Sequence, residues 1–179
     1  APVGGGKRNM IGEIIILLGA VLLGQVVISQ GWGAASPSHS GLDYYALDYI
    51  RVQDGLSYIA QGKTNPDYLI WGSLVLAAAN GIVIEAVDVI EDNEPYARLE
   101  PPALVAGNHV IIQHEARVYT EYSHLQQGSL LVQPGQYVHA GQPIAQVGSS
   151  GWSWEPHLHF QAQEGPQLGA QSIPWTFKR

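Results

Sequence analysis

Near its C-terminal end the chain runs Glu155-Pro156-His157-Leu158-His159-Phe160, two histidines one residue apart in an apolar stretch. On a β-strand, residues two apart share a face, so both imidazoles would point the same way. One ring could then bind a metal while the other stands beside it. Upstream lie His39 in Ser38-His39-Ser40-Gly41, His124 in Tyr122-Ser123-His124-Leu125, and Asp48 within the apolar run Tyr44-Tyr45-Ala46-Leu47-Asp48-Tyr49. An acid between Leu47 and Tyr49 is costly to bury unless something cationic pairs with it, and a zinc ion would do so. The chain has no cysteine, so disulfides, thiolate metal sites and cysteine nucleophiles are excluded, and a metal must be held by histidine and carboxylate. A zinc that works on a substrate commonly takes three protein ligands and leaves a fourth position open.

Taken singly, each residue also has an ordinary reading. His39 in a Ser/Gly loop suits a surface histidine, His124 a hydrogen-bonded strand end, and His157 and His159 half-buried structural positions. Trp152 and Trp154, just before the His-x-His run, either line a groove or pack at its rim.

The elements that must position these groups read as short strands. Val and Ile are frequent, and Gly 21 and Pro 11 punctuate the chain, which favours strands and turns over long helices. Strands are expected at Tyr44–Tyr49, Gly72–Ala78, Gly81–Val89, His109–His114, Val118–His124, Leu130–Val132, Gln142–Val147 and His157–Ala162, with Ala79-Asn80-Gly81 as a hairpin turn. Residues 51–71 and 91–107 show no clean period and read as irregular excursions. The expected fold is all-β, an antiparallel sandwich or barrel-like sheet.

Residues 1–9 form a small, basic tail. Residues 10–29 then hold one charge, Glu13, in an apolar stretch of roughly the length that crosses a bilayer core, with Lys7 and Arg8 before it. This segment reads as a membrane anchor with a cytoplasmic N-terminus. The competing reading is a pair of buried strands, Glu13–Leu18 and Val21–Gln30, turning at Gly19-Ala20. No small-x-small site follows the apolar stretch, which argues against a cleaved signal peptide. The net charge of −7 and the lack of a basic stripe argue against a nucleic-acid partner.

In order, the motifs resemble those of the lysostaphin-like (LytM-type) zinc endopeptidases. The resemblance rests on His39 and Asp48 near the start, Gly107-Asn108-His109-Val110, Tyr122-Ser123-His124-Leu125, Gly135–Val138, Gly141-Gln142, Val147-Gly148-Ser149-Ser150-Gly151, and His157-Leu158-His159-Phe160. It covers roughly Gln30 to Phe177, so 30–179 is expected to be one LytM-type domain of the duplicated-hybrid-motif fold. It implies that His39, Asp48 and His159 bind Zn2+, with His124 and His157 as acid–base or oxyanion-stabilising groups. Asp43 competes for the ligand role, because His39-Ser40-Gly41-Leu42-Asp43 has the family's short spacing. Tyr45-Ala46-Leu47-Asp48-Tyr49 matches the longer version, and Asp48 lies in an apolar strand, so Asp48 is preferred. His109, His114 and His139 fall at no ligand or catalytic position of the motif set and read as structural.

The family's usual substrate is the peptide portion of bacterial peptidoglycan, stem-peptide cross-links or bridges. That implies the cell envelope on the extracytoplasmic face of the membrane, with residues 10–29 holding the chain there. The alternative is a catalytically silent scaffold or binding subunit of a cell-envelope or membrane complex. Three departures from the family pattern stand out: a long insertion between Asp48 and Trp71, Glu155 where a small residue is usual, and Gln161 where many members have Glu.

Overall fold

In the strand Leu158–Gln163 the side chains of Leu158, Phe160 and Ala162 enter the core, while His159, Gln161 and Gln163 take the opposite face. That alternation, repeated across neighbouring strands, organises the molecule. A computed structural model describes residues 16–18, 21–22, 24–32, 39–97, 105–114 and 117–177. Its strands are β1 (Ile16–Leu18), β2 (Val27–Gln30), β3 (Leu47–Ile50), β4 (Leu74–Leu76), β5 (Gly81–Val87), β6 (Asn108–Gln113), β7 (Tyr119–Leu125), β8 (Tyr137–Val138), β9 (Pro143–Gln146), β10 (Leu158–Gln163) and β11 (Trp175–Phe177). There is no α-helix among the described residues, only short 3-10 turns at Gly41–Asp43 and Asn65–Asp67.

Seven strands form one antiparallel sheet in the order β2-β3-β10-β7-β6-β5-β8. β4 and β9 make a second, two-stranded sheet whose Val75, Ile144 and Ala145 join the same core as Val83, Val110, Ile112, Tyr122 and Phe160. Burying a side chain such as Phe160, fully inaccessible here, is worth about 1.5–3 kcal/mol over leaving it exposed. The all-β expectation is borne out, with local differences. Ala79-Asn80 does turn the chain, but β4 and β5 do not pair as a hairpin; β4 goes to β9 and β5 to β6 and β8. At Gly81 the chain passes close to β6, where a Cβ would lie 2.4 Å from the Gln113 carbonyl oxygen. Leu130–Val132 is not a strand; its ties are single bonds, such as Leu131 N–H to Ile144 O at 2.9 Å.

The described parts of the apolar N-terminal segment are extended. β1 pairs in parallel with β11, Val21 and Leu22 are buried in the core, and β2 forms the sheet edge beside β3. Isoleucine- and valine-rich sequence fits a pleated surface, though in β2 the Val27 and Ile28 side chains stay about half exposed. Residues 10–15, 19, 20 and 23 of the expected membrane anchor lie outside the described residues, as do 1–9. Among the described residues no helix is long and apolar enough to cross a membrane.

Candidate functional site

Strand register brings the first two groups together. Asp48 on β3 lies directly opposite His159 on β10, and His159 Nδ1 is 2.9 Å from Asp48 Oδ1. His39, arriving from the loop after β2, places Nε2 3.2 Å from Asp48 Oδ2, its ring edge-on to His159 at a centroid distance of 5.3 Å. One ligand atom from each of His39, Asp48 and His159 lies within 4.8 Å of the others, and His39 and Asp48 are buried. Asp43 sits instead on the 3-10 turn, half-exposed at the cleft wall, and is not part of this group.

His124 reaches the same centre through a break in alternation. Tyr122 and Leu125, three residues apart, both lie in the core. Between them the β6–β7 register shifts, and His124 adopts φ 60°, so Ser123 and His124 both turn to the cleft. A β-bulge of this kind re-aims a side chain without ending the strand. The His124 ring lies tilted at 49° to that of His157, centroids 4.6 Å apart, and His157 Nε2 is 3.9 Å from Asp48 Oδ1.

Three of the four rings are oriented in one way. His39 Nδ1–H donates to Gly31 O (3.1 Å), His124 Nδ1–H to Ser150 O (2.9 Å) and His157 Nδ1–H to Glu155 O (2.8 Å). A carbonyl can only accept, so in the neutral ring the proton stays on Nδ1 and Nε2 carries a lone pair. For His39 that lone pair faces a carboxylate oxygen at 3.2 Å, an acceptor against an acceptor. Such a contact is repulsive unless a cation or a proton lies between. Two imidazole nitrogens and a carboxylate, with no thiolate, form a donor set that suits zinc. The residues therefore fit the metal.

Electrostatics follow from burial and these pairings. Burial raises the Asp48 pKa, but the hydrogen bond from His159, the close His39 contact with a proton between the two groups, and the charge of His157 more than reverse it and hold the carboxyl well below its ordinary value. Burial lowers that of His159, and the Asp48 partnership overcomes this to raise it to about 9. For His124, burial and then the neighbouring His157 and His159 push the pKa well below 6.5, so this ring is neutral.

The five residues open into a cleft of about 710 Å³. Trp152 and Trp154 line it and are 39% and 52% exposed, which places both on the groove itself. Sequence reading missed Glu121, whose carboxylate lines the cleft beside His159 and accepts from Ser123 Oγ (2.8 Å) and Gly169 N (2.9 Å). Strict alternation of Glu121 with Ser123 on a β-strand was the available signal. His109, His114 and His139 lie away from the cleft; His109 donates to Gly107 O at 2.7 Å and His114 bridges Asn80 O and Thr120 Oγ1.

The peptidoglycan DD-endopeptidase ShyA of Vibrio cholerae serotype O1 is 37% identical over 90 residues, 50% of this chain and 17% of its own length. The murein hydrolase activator EnvC of Escherichia coli K12 is 34% identical over 110 residues, 60% of this chain and 24% of its own. The chain thus spans less than a quarter of the length of these relatives. A mutant catalytic domain of the prophage-encoded M23 protein EnpA from Enterococcus faecalis shares the fold, with a TM-score of 0.54 at 21% identity over 83% of this chain and 87% of that one. The model of Peptidase family M23 matches residues 68–170, more than half the chain, a stretch that includes His124, His157 and His159 and begins after His39 and Asp48. On that match the chain belongs to peptidase family M23.

Proposed function

We propose that the chain is a zinc-dependent endopeptidase that hydrolyses peptide bonds of bacterial peptidoglycan, in stem-peptide cross-links or bridges, on the extracytoplasmic side of the cell envelope. The observation that carries this reading is the convergence of His39, Asp48, His159, His124 and His157 on one open cleft. Similarity to ShyA, named as a peptidoglycan endopeptidase, supports the substrate class.

In this reading His39, Asp48 and His159 hold the metal. Zinc supplies Lewis acidity when bound, polarising a carbonyl and acidifying water. His124, neutral and with its Nε2 lone pair toward the cleft, takes the proton from the attacking water. His157 presents Nε2 to the oxygen that gains charge as the carbonyl is attacked, the atom through which a proton reaches that oxygen. Glu155 O keeps the other His157 nitrogen occupied, so only Nε2 is available for that task. Trp152 and Trp154 give the substrate chain an apolar wall.

The competing reading, a silent scaffold or binding subunit, draws on the similarity to EnvC, named as an activator. Retention of all five polar groups favours the enzyme. So does the placement of residues 51–71, none of which lines the cleft. The test is release of new amino groups from purified peptidoglycan by zinc-loaded and chelated protein side by side. Zinc-dependent release is expected; its absence from protein shown to hold zinc would turn the assignment to the scaffold.

A further inference from the structure

The two histidines outside the ligand set are aimed by one loop, residues 147–157 between β9 and β10. Its Ser150 carbonyl accepts from His124 and its Glu155 carbonyl from His157. A loop without a ladder of its own needs other ties to hold carbonyls in fixed directions. Some ties come from the strands and the loop itself: Asn108 N–H donates to Ser150 Oγ (2.9 Å), Ser150 Oγ–H to Leu125 O (2.7 Å), Gly148 N–H to His124 O (3.0 Å) and Ser153 Oγ–H to Glu155 O (2.8 Å). Others come from the irregular excursions. Asn93 Nδ2 donates to both Ser149 O (2.9 Å) and Gly151 O (2.7 Å), and its backbone N–H also donates to Ser149 O (3.1 Å). Ser149 N–H in turn donates to Asp92 Oδ1 at 2.6 Å.

The arrangement repeats at the second histidine. Tyr96 N–H donates to Trp154 O (2.7 Å), and the Tyr96 hydroxyl donates to Glu155 Oε2 (3.1 Å). Ser57, from the other excursion, donates to the same carboxylate oxygen at 3.4 Å. Carbonyls that point away from the cleft (149, 151 and 154) are thus held from outside, and those between or after them (150 and 155) turn inward to the imidazoles. Asn93 is itself braced by Asn65 Nδ2 donating to its carbonyl at 2.8 Å. Tyr96 holds its place at φ 57°, the left-handed region that a non-glycine residue occupies only when its surroundings impose it. Glu155, the departure from the small residue expected there, finds its partners in Tyr96 and in Ser57 of the insertion.

We infer that Asn93 and Tyr96 are positioning residues: the 91–97 segment clamps the 147–157 loop, Asn93 fixing the tautomer and aim of His124 and the Tyr96–Glu155 pair fixing those of His157. The inference rests on the proposed hydrolytic role only for its effect on turnover. Its structural content is read separately.

The test uses the full zinc-loaded chain and compares Asn93→Ala, Tyr96→Phe and Glu155→Gln with the parent. Nitrogen NMR of the imidazoles should find His124 and His157 each as a single Nδ1–H tautomer in the parent. In Asn93→Ala, His124 should become a tautomer mixture while His157 is little changed; Tyr96→Phe and Glu155→Gln should do the reverse. On peptidoglycan, kcat should fall about tenfold to a hundredfold for Asn93→Ala, in the range for residues that orient a ligand's partner, with KM and zinc content held. Tyr96→Phe, which keeps its backbone bond, should lose about threefold to tenfold. Parent-like tautomers in all three folded variants would overturn the inference, whatever the activity. If Asn93→Ala fails to fold, the exposed Tyr96→Phe decides it for His157, and equal disturbance of both rings by that variant would also overturn it. Absence of activity in the parent, with the tautomer pattern as expected, would count against the hydrolase reading alone.

Discussion

The two halves of the site are built from different materials. On one side Asp48 and His159 sit opposite each other on the adjacent strands β3 and β10, their separation set by a hydrogen-bonded ladder. On the other, His124 and His157 take their direction from the carbonyls of Ser150 and Glu155, in a loop that Asn93 ties at Gly151 O and Tyr96 at the Glu155 carboxylate. A ladder fixes distance, which metal ligands need above all. Loop carbonyls fix which nitrogen keeps its proton, which proton transfer needs. The two halves should therefore fail in different ways when altered: one by losing the ion, the other by keeping it and turning over slowly.

The sharpest break in that comparison is at Asp48. Asp48→Ala should lose stoichiometric zinc on dialysis and drop peptidoglycan hydrolysis to below about a thousandth, since metal and oriented imidazoles act together. Zinc analysis beside the amino-release assay checks both. His124→Ala belongs to the other half: zinc should be retained and kcat should fall by about 10²–10⁴, the usual span for a lost acid–base group. A variant that loses zinc as well would erase the distinction between the halves.

Phe160→Ala acts from behind the same strand that carries His159, and urea unfolding should show a loss of about 3–5 kcal/mol from the cavity it leaves. The pH dependence of the metal-free protein is a finer probe. The pKa of His159 is raised from 6.5 to about 9, so its contribution to stability is full below 6.5 and is lost as pH climbs through about 9. His124 works in the opposite sense, its pKa being depressed, and its contribution fades as pH falls below 6.5. Thermal midpoints of the metal-free chain should decline on both flanks, and His159→Gln should flatten the alkaline one. The smallest effect is reserved for Asp43→Ala, expected to keep zinc and to shift stability by less than about 0.5 kcal/mol.

Much of this was legible because side-chain chemistry and strand period coincide. Asp48 stood out as an acid inside Leu47-Asp48-Tyr49, and the structure gathers it with His39 and His159 while leaving Asp43 on a turn. β5, β6, β9 and β10 follow from their apolar runs. β8 and β11, of two and three residues, are too short to carry a period, and Leu130–Val132 has the composition of a strand without a neighbour to complete its ladder. The irregular excursions gave no hint of their task, because Asn93 and Tyr96 act on backbone carbonyls, and a carbonyl looks the same in every residue. The bulge at His124 was hidden for a related reason. A period of two assigns it to the core face with Tyr122, and only the register against β6 reveals the extra residue.

That extra residue has a consequence for how such a domain can be silenced. Val110 pairs with Tyr122 and Asn108 with Leu125, so His109 faces two residues where a regular ladder has one. Removing His124 outright would let Ser123 take that place, with Tyr122 and Leu125 still inward. The sheet would close into an uninterrupted weave, relieved of a backbone held at φ 60°. A single codon's deletion should thus yield a protein that folds and keeps its groove and the His39, Asp48 and His159 group, but lacks the imidazole proposed to move the proton.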